Sequence, residues 1–280
     1  MQPTFKRFIQ NLSAARIENP RLEARRLLSF ALNLEDVDIF SSRRLSAEEV
    51  KKAEAFLQRR LEHEPLDKII GRKPFYKAEF IVSDAVLSPR PDTEILVEAA
   101  VAFLRGKPAP RVLDLGTGSG CIILSILGDV PKARGTAVDI SAAALQIAAA
   151  NAGALGLENR IELMNAGWFD ENFADSFSAP FELIVSNPPY IPTAEIAGLE
   201  KEVRAHDPLT ALDGGTDGLR DYRRLAEVVP PLLKAGGRLM LEVGEGQAAA
   251  VAAIFGAAGL KPEEILPDLS GTERCVILKK

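Results

Sequence analysis

The sequence predicts an α/β protein: a doubly wound, mostly parallel seven-stranded sheet closed by an antiparallel edge hairpin, preceded by a small N-terminal helical domain. Three observations lead there. From Arg111 onward, short apolar runs alternate with helical patterns, the signature of a parallel sheet covered on both faces. The last two apolar runs follow one another with no helix between them, which makes them an antiparallel pair. Before Pro74 the chain carries helical periodicity and almost no strand signal.

The elements follow in order. Leu22, Ala24, Leu27, Leu28, Ala31 and Leu32 recur at helical spacing. Ser46 followed by Glu49 reads as a capping box that opens a helix through Val50, Ala53, Phe56, Leu57 and Leu61. Residues 75–82 and 85–87 are aromatic and β-branched, with Ser83-Asp84 between them, and predict a β-hairpin linker. A helix starts at Asp92 or Thr93 and ends before Gly106. Strands are expected over 111–115, 135–140, 161–165, 181–186, 238–243, 260–266 and 274–279. Helices fall over 120–127, 141–155, 217–235 and 247–258. The expected division is 1–73 as a helical domain, 74–91 as the hairpin linker and 92–280 as the α/β domain.

Composition narrows the function. A chain of 280 residues with 47% hydrophobic and 26% charged side chains is an ordinary globular protein, large enough to need no disulfide or metal staple. Cys121 and Cys275 read as buried free thiols, and His63 and His206 lack metal-ligand spacing, so no metal is expected. There is no apolar leader at the start, and the most apolar stretches, 142–157 and 248–260, are too short and too interrupted to span a bilayer. No membrane association and a cytoplasmic location are expected. The net charge of −5 is uneven: residues 1–73 hold 15 basic and 11 acidic side chains, the rest 19 and 28. An acidic main domain argues against direct DNA binding, because phosphate contacts need Lys and Arg. The basic small domain either faces an acidic partner or RNA or is a solvated helical surface.

Asp114-Leu115-Gly116-Thr117-Gly118-Ser119-Gly120 leaves a strand and enters a helix. Glycines there let the backbone turn tightly and a ligand approach closely. A dinucleotide loop wants Gly-x-Gly-x-x-Gly, but the third glycine comes one residue early, and there is no P-loop lysine. Asp114 would repel a pyrophosphate and suit a cationic amine. Asp139, about 20 residues beyond the loop, is placed to accept from ribose hydroxyls. A ribose, an amino-acid cation and no phosphate describe S-adenosylmethionine; the alternative is a simple tight βα turn.

The strand over 181–186 runs into Asn187-Pro188-Pro189-Tyr190. Two prolines fix φ and remove N–H donors, leaving a stiff loop with two acceptors, the Asn187 side-chain oxygen and the Pro188 carbonyl. Two acceptors suit a planar NH2 group, and Tyr190 would pack flat against it. A glutamine amide and the exocyclic amine of adenine both satisfy that description.

With these residues in place, the 114–120 and 187–190 motifs resemble those of class I methyltransferases with a Rossmann-like fold. Pro89-Arg90-Pro91-Asp92-Thr93-Glu94, Asp207-Pro208-Leu209-Thr210-Ala211-Leu212, Gly214-Gly215-Thr216-Asp217-Gly218-Leu219 and Leu241-Glu242-Val243-Gly244 resemble segments of the bacterial release-factor glutamine methyltransferases, the PrmC/HemK family. The likeness covers nearly the whole chain. It implies methylation of the glutamine in the Gly-Gly-Gln motif of peptide-chain release factors. It also implies that Gly116, Thr117, Gly118, Ser119, Gly120, Asp139 and Asn187 hold the cofactor, with Trp168 near the adenine. Asn187, Pro188, Pro189 and Tyr190 would take the glutamine amide, with 89–94 beside the entrance. Gly167 departs from the family, which often carries an acidic residue before the tryptophan. Rival substrates for the same chemistry are a ribosomal-protein glutamine and adenine N6 of DNA.

Overall fold

The computed structural model describes residues 1–34 and 43–280. It divides into two compact units, one of residues 1–72 with 200–206, the other of 73–199 with 207–280.

The first unit holds helices α1 (Gln2–Ala14), α2 (Pro20–Leu32), α3 (Ala47–Leu61) and α4 (Leu66–Ile70). Phe5, Phe8 and Leu12 of α1 pack with Ala24, Leu27, Leu28 and Ala31 of α2 and with Ala53 and Leu57 of α3. Leu22, expected on the apolar face, is instead exposed: it sits in the first turn, before the buried stripe of α2 begins. The Ser46 capping box forms as the spacing predicts, with Glu49 N donating to Ser46 Oγ at 3.1 Å and Ser46 N to Glu49 Oε2 at 2.9 Å. The 35–42 part of the expected helical domain lies outside the described residues.

The second unit begins with a two-stranded hairpin, β1 (Arg72–Phe75, its first residue ending the first unit) and β2 (Ala78–Ile81). The turn is at Tyr76-Lys77, not at Ser83-Asp84 as expected. Tyr76 takes a left-handed φ of 54°, and it is held there by its N–H on Glu94 Oε1 (2.8 Å) and its hydroxyl on Asp129 Oδ2 (2.9 Å). The 83–90 stretch is irregular rather than a strand.

Then follow α5 (Glu94–Leu104), β3 (Arg111–Leu115), α6 (Cys121–Asp129), β4 (Arg134–Asp139), α7 (Ala142–Ala154), β5 (Ile161–Asn165) and β6 (Phe181–Ser186). The short helix α8 (Lys201–His206) belongs to the first unit. The chain ends with α9 (Arg220–Leu232), β7 (Leu233–Glu242), α10 (Ala248–Ala257), β8 (Lys261–Pro267) and β9 (Glu273–Lys279). The sheet order is β5-β4-β3-β6-β7-β9-β8. Five strands are parallel; β9 runs antiparallel to both β7 and β8, as the uninterrupted pair at the end of the sequence predicts.

Side chains alternate across the sheet with the period of two that strands impose. Val112, Leu183, Val185, Met240 and Ile277 face α5 and α6. Leu113, Leu115, Ile184, Leu239, Leu241 and Val276 face α9 and α10. The helix expected over 217–235 runs only from Arg220 to Leu232, with Pro230 and Pro231, which lack N–H donors, in its last turn. β7 therefore starts early, at Leu233 opposite Phe181, and bulges before Arg238 pairs with Leu183. Strand order reverses at β3, from which the chain builds β4 and β5 on one side and β6 and β7 on the other. Ligands of such sheets sit at the carboxyl ends of the strands near that switch point.

Candidate active site

The loop after β3 is held from two sides. Gly116 N and Thr117 N both donate to Val138 O, at 2.9 and 3.0 Å. Gly118 N donates to Asp139 Oδ2 at 2.8 Å, and Ser141 N to Asp139 Oδ1 at 2.9 Å. Burial pushes the Asp139 carboxyl up, and those two N–H groups oppose it. Each carboxylate oxygen keeps a lone pair for a ligand.

Asp114, which the sequence suits to a cationic amine, lies beneath the loop rather than on its open face. It lies on the α6 side of β3, fully buried, and takes the Thr117 hydroxyl at 2.7 Å. Burial raises its pKa to about 7. It shapes the loop from beneath. Gly120 is also structural: it caps α6 with φ 78°, and a Cβ there would meet Leu124 at 3.0 Å.

The loop after β6 is strapped in place along its length. Ser186 Oγ donates to Leu115 O at 2.6 Å, joining the ends of β6 and β3. Pro188 and Pro189 are buried. Ile191 N donates to Leu212 O and Gly214 N to Ile191 O, at 3.0 and 2.9 Å. The Gln247 side chain donates to Tyr190 O at 2.9 Å. The Tyr190 ring passes so close to Gly244 that a Cβ there would lie 3.0 Å from Cδ2. Its hydroxyl lies 3.4 Å from Glu242 Oε1.

Trp168 forms a further wall. A Cβ on Gly116 would sit 3.3 Å from the indole ring. The indole N–H donates to Asp221 Oδ1 at 3.0 Å, and Arg224 Nε donates to Trp168 O at 2.7 Å. The Gly167 N–H donates to Asp170 Oδ2 at 2.6 Å.

These pieces enclose one cavity of about 240 Å³. Of the sequence-predicted residues, Gly116, Thr117, Gly118, Ser119, Asp139, Trp168, Asn187 and Pro189 line it. Gly120, Pro188 and Tyr190 stand behind the wall, where they hold the loops. Several wall residues had no signal of their own, Ser88, Arg220 and Asp221 among them. Ser88 is buried there with a hydroxyl that has no hydrogen-bond partner. Arg220 and Asp221 also line the cavity, although an Arg-Asp pair in the first turn of a helix reads from sequence as solvated charge.

Glu242 lies at the end of β7, buried, and accepts from Thr93 Oγ1 at 2.5 Å. Burial raises its pKa from the ordinary 4.5 to about 7, with Arg274 opposing and Asp92 adding to the rise. Between those two values the folded protein binds a proton that the unfolded chain does not. The stability this group contributes is therefore full below pH 4.5 and is lost as pH rises through 7. Glu242→Gln, which never ionises, should raise Tm over wild type at pH 8 by about 2–4 °C per kcal/mol recovered, and by much less at pH 5. Equal gains at both pH values would show that Glu242 does not titrate in this window.

Among the described residues no helix is long and apolar enough to cross a membrane. Both cysteines are free and buried, and burial pushes their thiols up to about 12.

Residues 91–201 match the model of the methyltransferase small domain, and residues 4–71 that of the PrmC N-terminal domain. Together with the sheet order and the loops that meet in one cavity, this defines an enzyme of the methyltransferase class. The release factor glutamine methyltransferase of Rhodospirillum rubrum is 46% identical, over 96% of this chain and 82% of that protein. Those of Caulobacter vibrioides and Geobacter sulfurreducens are 42% and 40% identical, over 95% and 93% of this chain and 91% and 89% of theirs. The chain belongs to the release factor glutamine methyltransferases.

Proposed function

We propose that the protein transfers a methyl group from S-adenosylmethionine to the side-chain amide nitrogen of the glutamine in the Gly-Gly-Gln motif of peptide-chain release factors. The observation that carries this is that one cavity is lined both by the 116–119 glycine loop with Asp139 and Trp168 and by Asn187 and Pro189. A cofactor site and an amide site share a wall.

The wall fits that cofactor. The close approach of Trp168 to Gly116 leaves no room for a side chain, Asp139 offers acceptors to ribose hydroxyls, and the unpartnered Ser88 hydroxyl can serve a polar ligand. When bound, the cofactor supplies an electrophilic methyl on a sulfonium. The protein's part is to present the nitrogen. An amide nitrogen is a poor nucleophile because its lone pair is delocalised. The Asn187 side-chain oxygen accepts one of its hydrogens, which favours the positive charge that develops on nitrogen as the new bond forms. The nitrogen gains the methyl and gives up one of those hydrogens as a proton to water. The buried prolines keep that acceptor fixed, so little reorganisation is needed. Tyr190 anchors the loop from behind.

On this reading the helical first unit recognises the release factor, in keeping with its excess of basic side chains. Translation termination places the enzyme in the cytoplasm. The test is methyl transfer from labelled S-adenosylmethionine to purified release factor in its Gly-Gly-Gln and Gly-Gly-Ala forms. Label is expected on the first alone. Label on DNA or a ribosomal protein, with none on either release factor, would keep the chemistry and replace the substrate.

A further inference from the structure

The tryptophan wall and the far end of the 187–190 loop are joined by a string of polar contacts with one buried carboxylate in its middle. Asp221 is 2% exposed. Its Oδ1 accepts the Trp168 indole N–H at 3.0 Å, and its Oδ2 accepts Arg220 Nη2 and Nε at 3.0 and 3.2 Å. Arg220 Nη2 also donates to Asp213 O at 2.6 Å. Asp213 Oδ1 accepts the Thr193 hydroxyl at 2.6 Å and Gly215 N at 3.0 Å. Thr193 N donates back to Gly215 O at 2.9 Å, three residues beyond Tyr190.

A carboxylate taken out of water is costly unless it is fully paired. The neighbouring Tyr222 and Leu225 are core residues. A carboxylate in the first turn of a helix favours the helix dipole, but that role needs no side-chain partner. Here both oxygens hold groups of the cavity wall. The geometry points to Asp221 as a positioning residue that fixes the plane of the Trp168 indole against Gly116 and, through Arg220 and Asp213, ties that wall to the Thr193 end of the catalytic loop. One carboxylate then sets both cofactor affinity and loop placement. The inference rests on the cavity being the S-adenosylmethionine site.

Trp168 is the only tryptophan in the chain, so its emission reports on this contact alone. The experiment is a fluorescence titration of the full-length protein with S-adenosylhomocysteine, which binds without turnover. Asp221→Leu should shift the emission and weaken binding about tenfold, as expected for loss of one hydrogen bond to a charged group. Asp221→Asn keeps an oxygen for the indole and should recover the emission and bind within about threefold of wild type. Because Asp221→Leu removes a buried paired charge, a second measurement guards against misfolding. Calorimetric titration in a Trp168→Phe background should show a diminished loss of affinity on adding Asp221→Leu, since the indole bond is then already absent. Wild-type emission and affinity in Asp221→Leu, or an undiminished loss in the Phe background, would overturn the inference alone. A wild-type protein that fails to bind S-adenosylhomocysteine would overturn the cofactor reading and this inference with it.

Discussion

Asn187→Ala is expected to lower kcat on release factor by about 100- to 1000-fold, the usual effect of removing one fixed electrostatic partner of a transition state. Affinity for S-adenosylhomocysteine should change little. Asn187 lines the cavity from the end of β6. The wall proposed for the cofactor is built from other elements, the loop after β3, the end of β4 and Trp168. Removing the carboxamide deletes one acceptor for the amide hydrogens and leaves Pro188 and Pro189 to keep the loop's shape. The measurement is single-turnover methyl transfer beside a binding titration. A variant with near-normal kcat would show that Asn187 does not hold the reacting amide, and the mechanism proposed above would be wrong.

Gly218→Ala should damage catalysis almost as much from a position outside the cavity. Gly218 has φ 73°, and a Cβ there would lie 2.3 Å from Tyr190 O and 2.6 Å from Gln247 Nε2. The backbone oxygen cannot swing aside as a side chain could. The clash also strikes the Gln247 to Tyr190 hydrogen bond that straps the catalytic loop. The loop must move, and a displacement of about 1 Å in a positioned group costs on the order of 100-fold in rate. Gly246→Ala is the control, because Gly246 has a similar φ of 75° with nothing within 4 Å of its Cβ. It carries the left-handed backbone penalty of about 1–2 kcal/mol without the clash. Gly218→Ala should lose roughly 100-fold in kcat while Gly246→Ala keeps near-normal rates. Equal losses would assign the effect to backbone strain alone.

Much of this was legible in the chain. Alternating apolar runs report the parallel sheet because strands buried on both faces need few polar residues. The closing antiparallel pair showed itself by the missing helix. The glycine loop and the 187–190 motif stood out because their residue types constrain the backbone directly. The rest depended on tertiary partners. Tyr76 sits at a turn with positive φ because Glu94 and Asp129 hold it there, which no local pattern records. Asp114 reads as a ligand group until burial beneath the loop and the Thr117 hydroxyl give it another role. Asp221 reads as helix-surface charge until Trp168, 53 positions away, arrives to use it. Pro188 and Tyr190 belong to the motif by sequence, but a motif does not reveal which of its members face the cavity.

The first unit is not finished when its own stretch of sequence has been made. Arg60, with a side chain only 4% exposed, pairs with Glu23 within the first helices and with Glu202 of α8 at 2.7 Å, and Lys68 Nζ donates to His206 O at 3.2 Å. Between residues 72 and 200 lie about 130 residues of the other unit, which the ribosome takes roughly 6 to 26 s to add at 5–20 residues per second. Throughout that interval the Arg60 guanidinium lacks one of the two carboxylates that pair with it in the complete unit. A fragment cut at residue 72 would keep that deficit permanently, so the segment that completes the N-terminal unit must be supplied with it in any dissection of this enzyme.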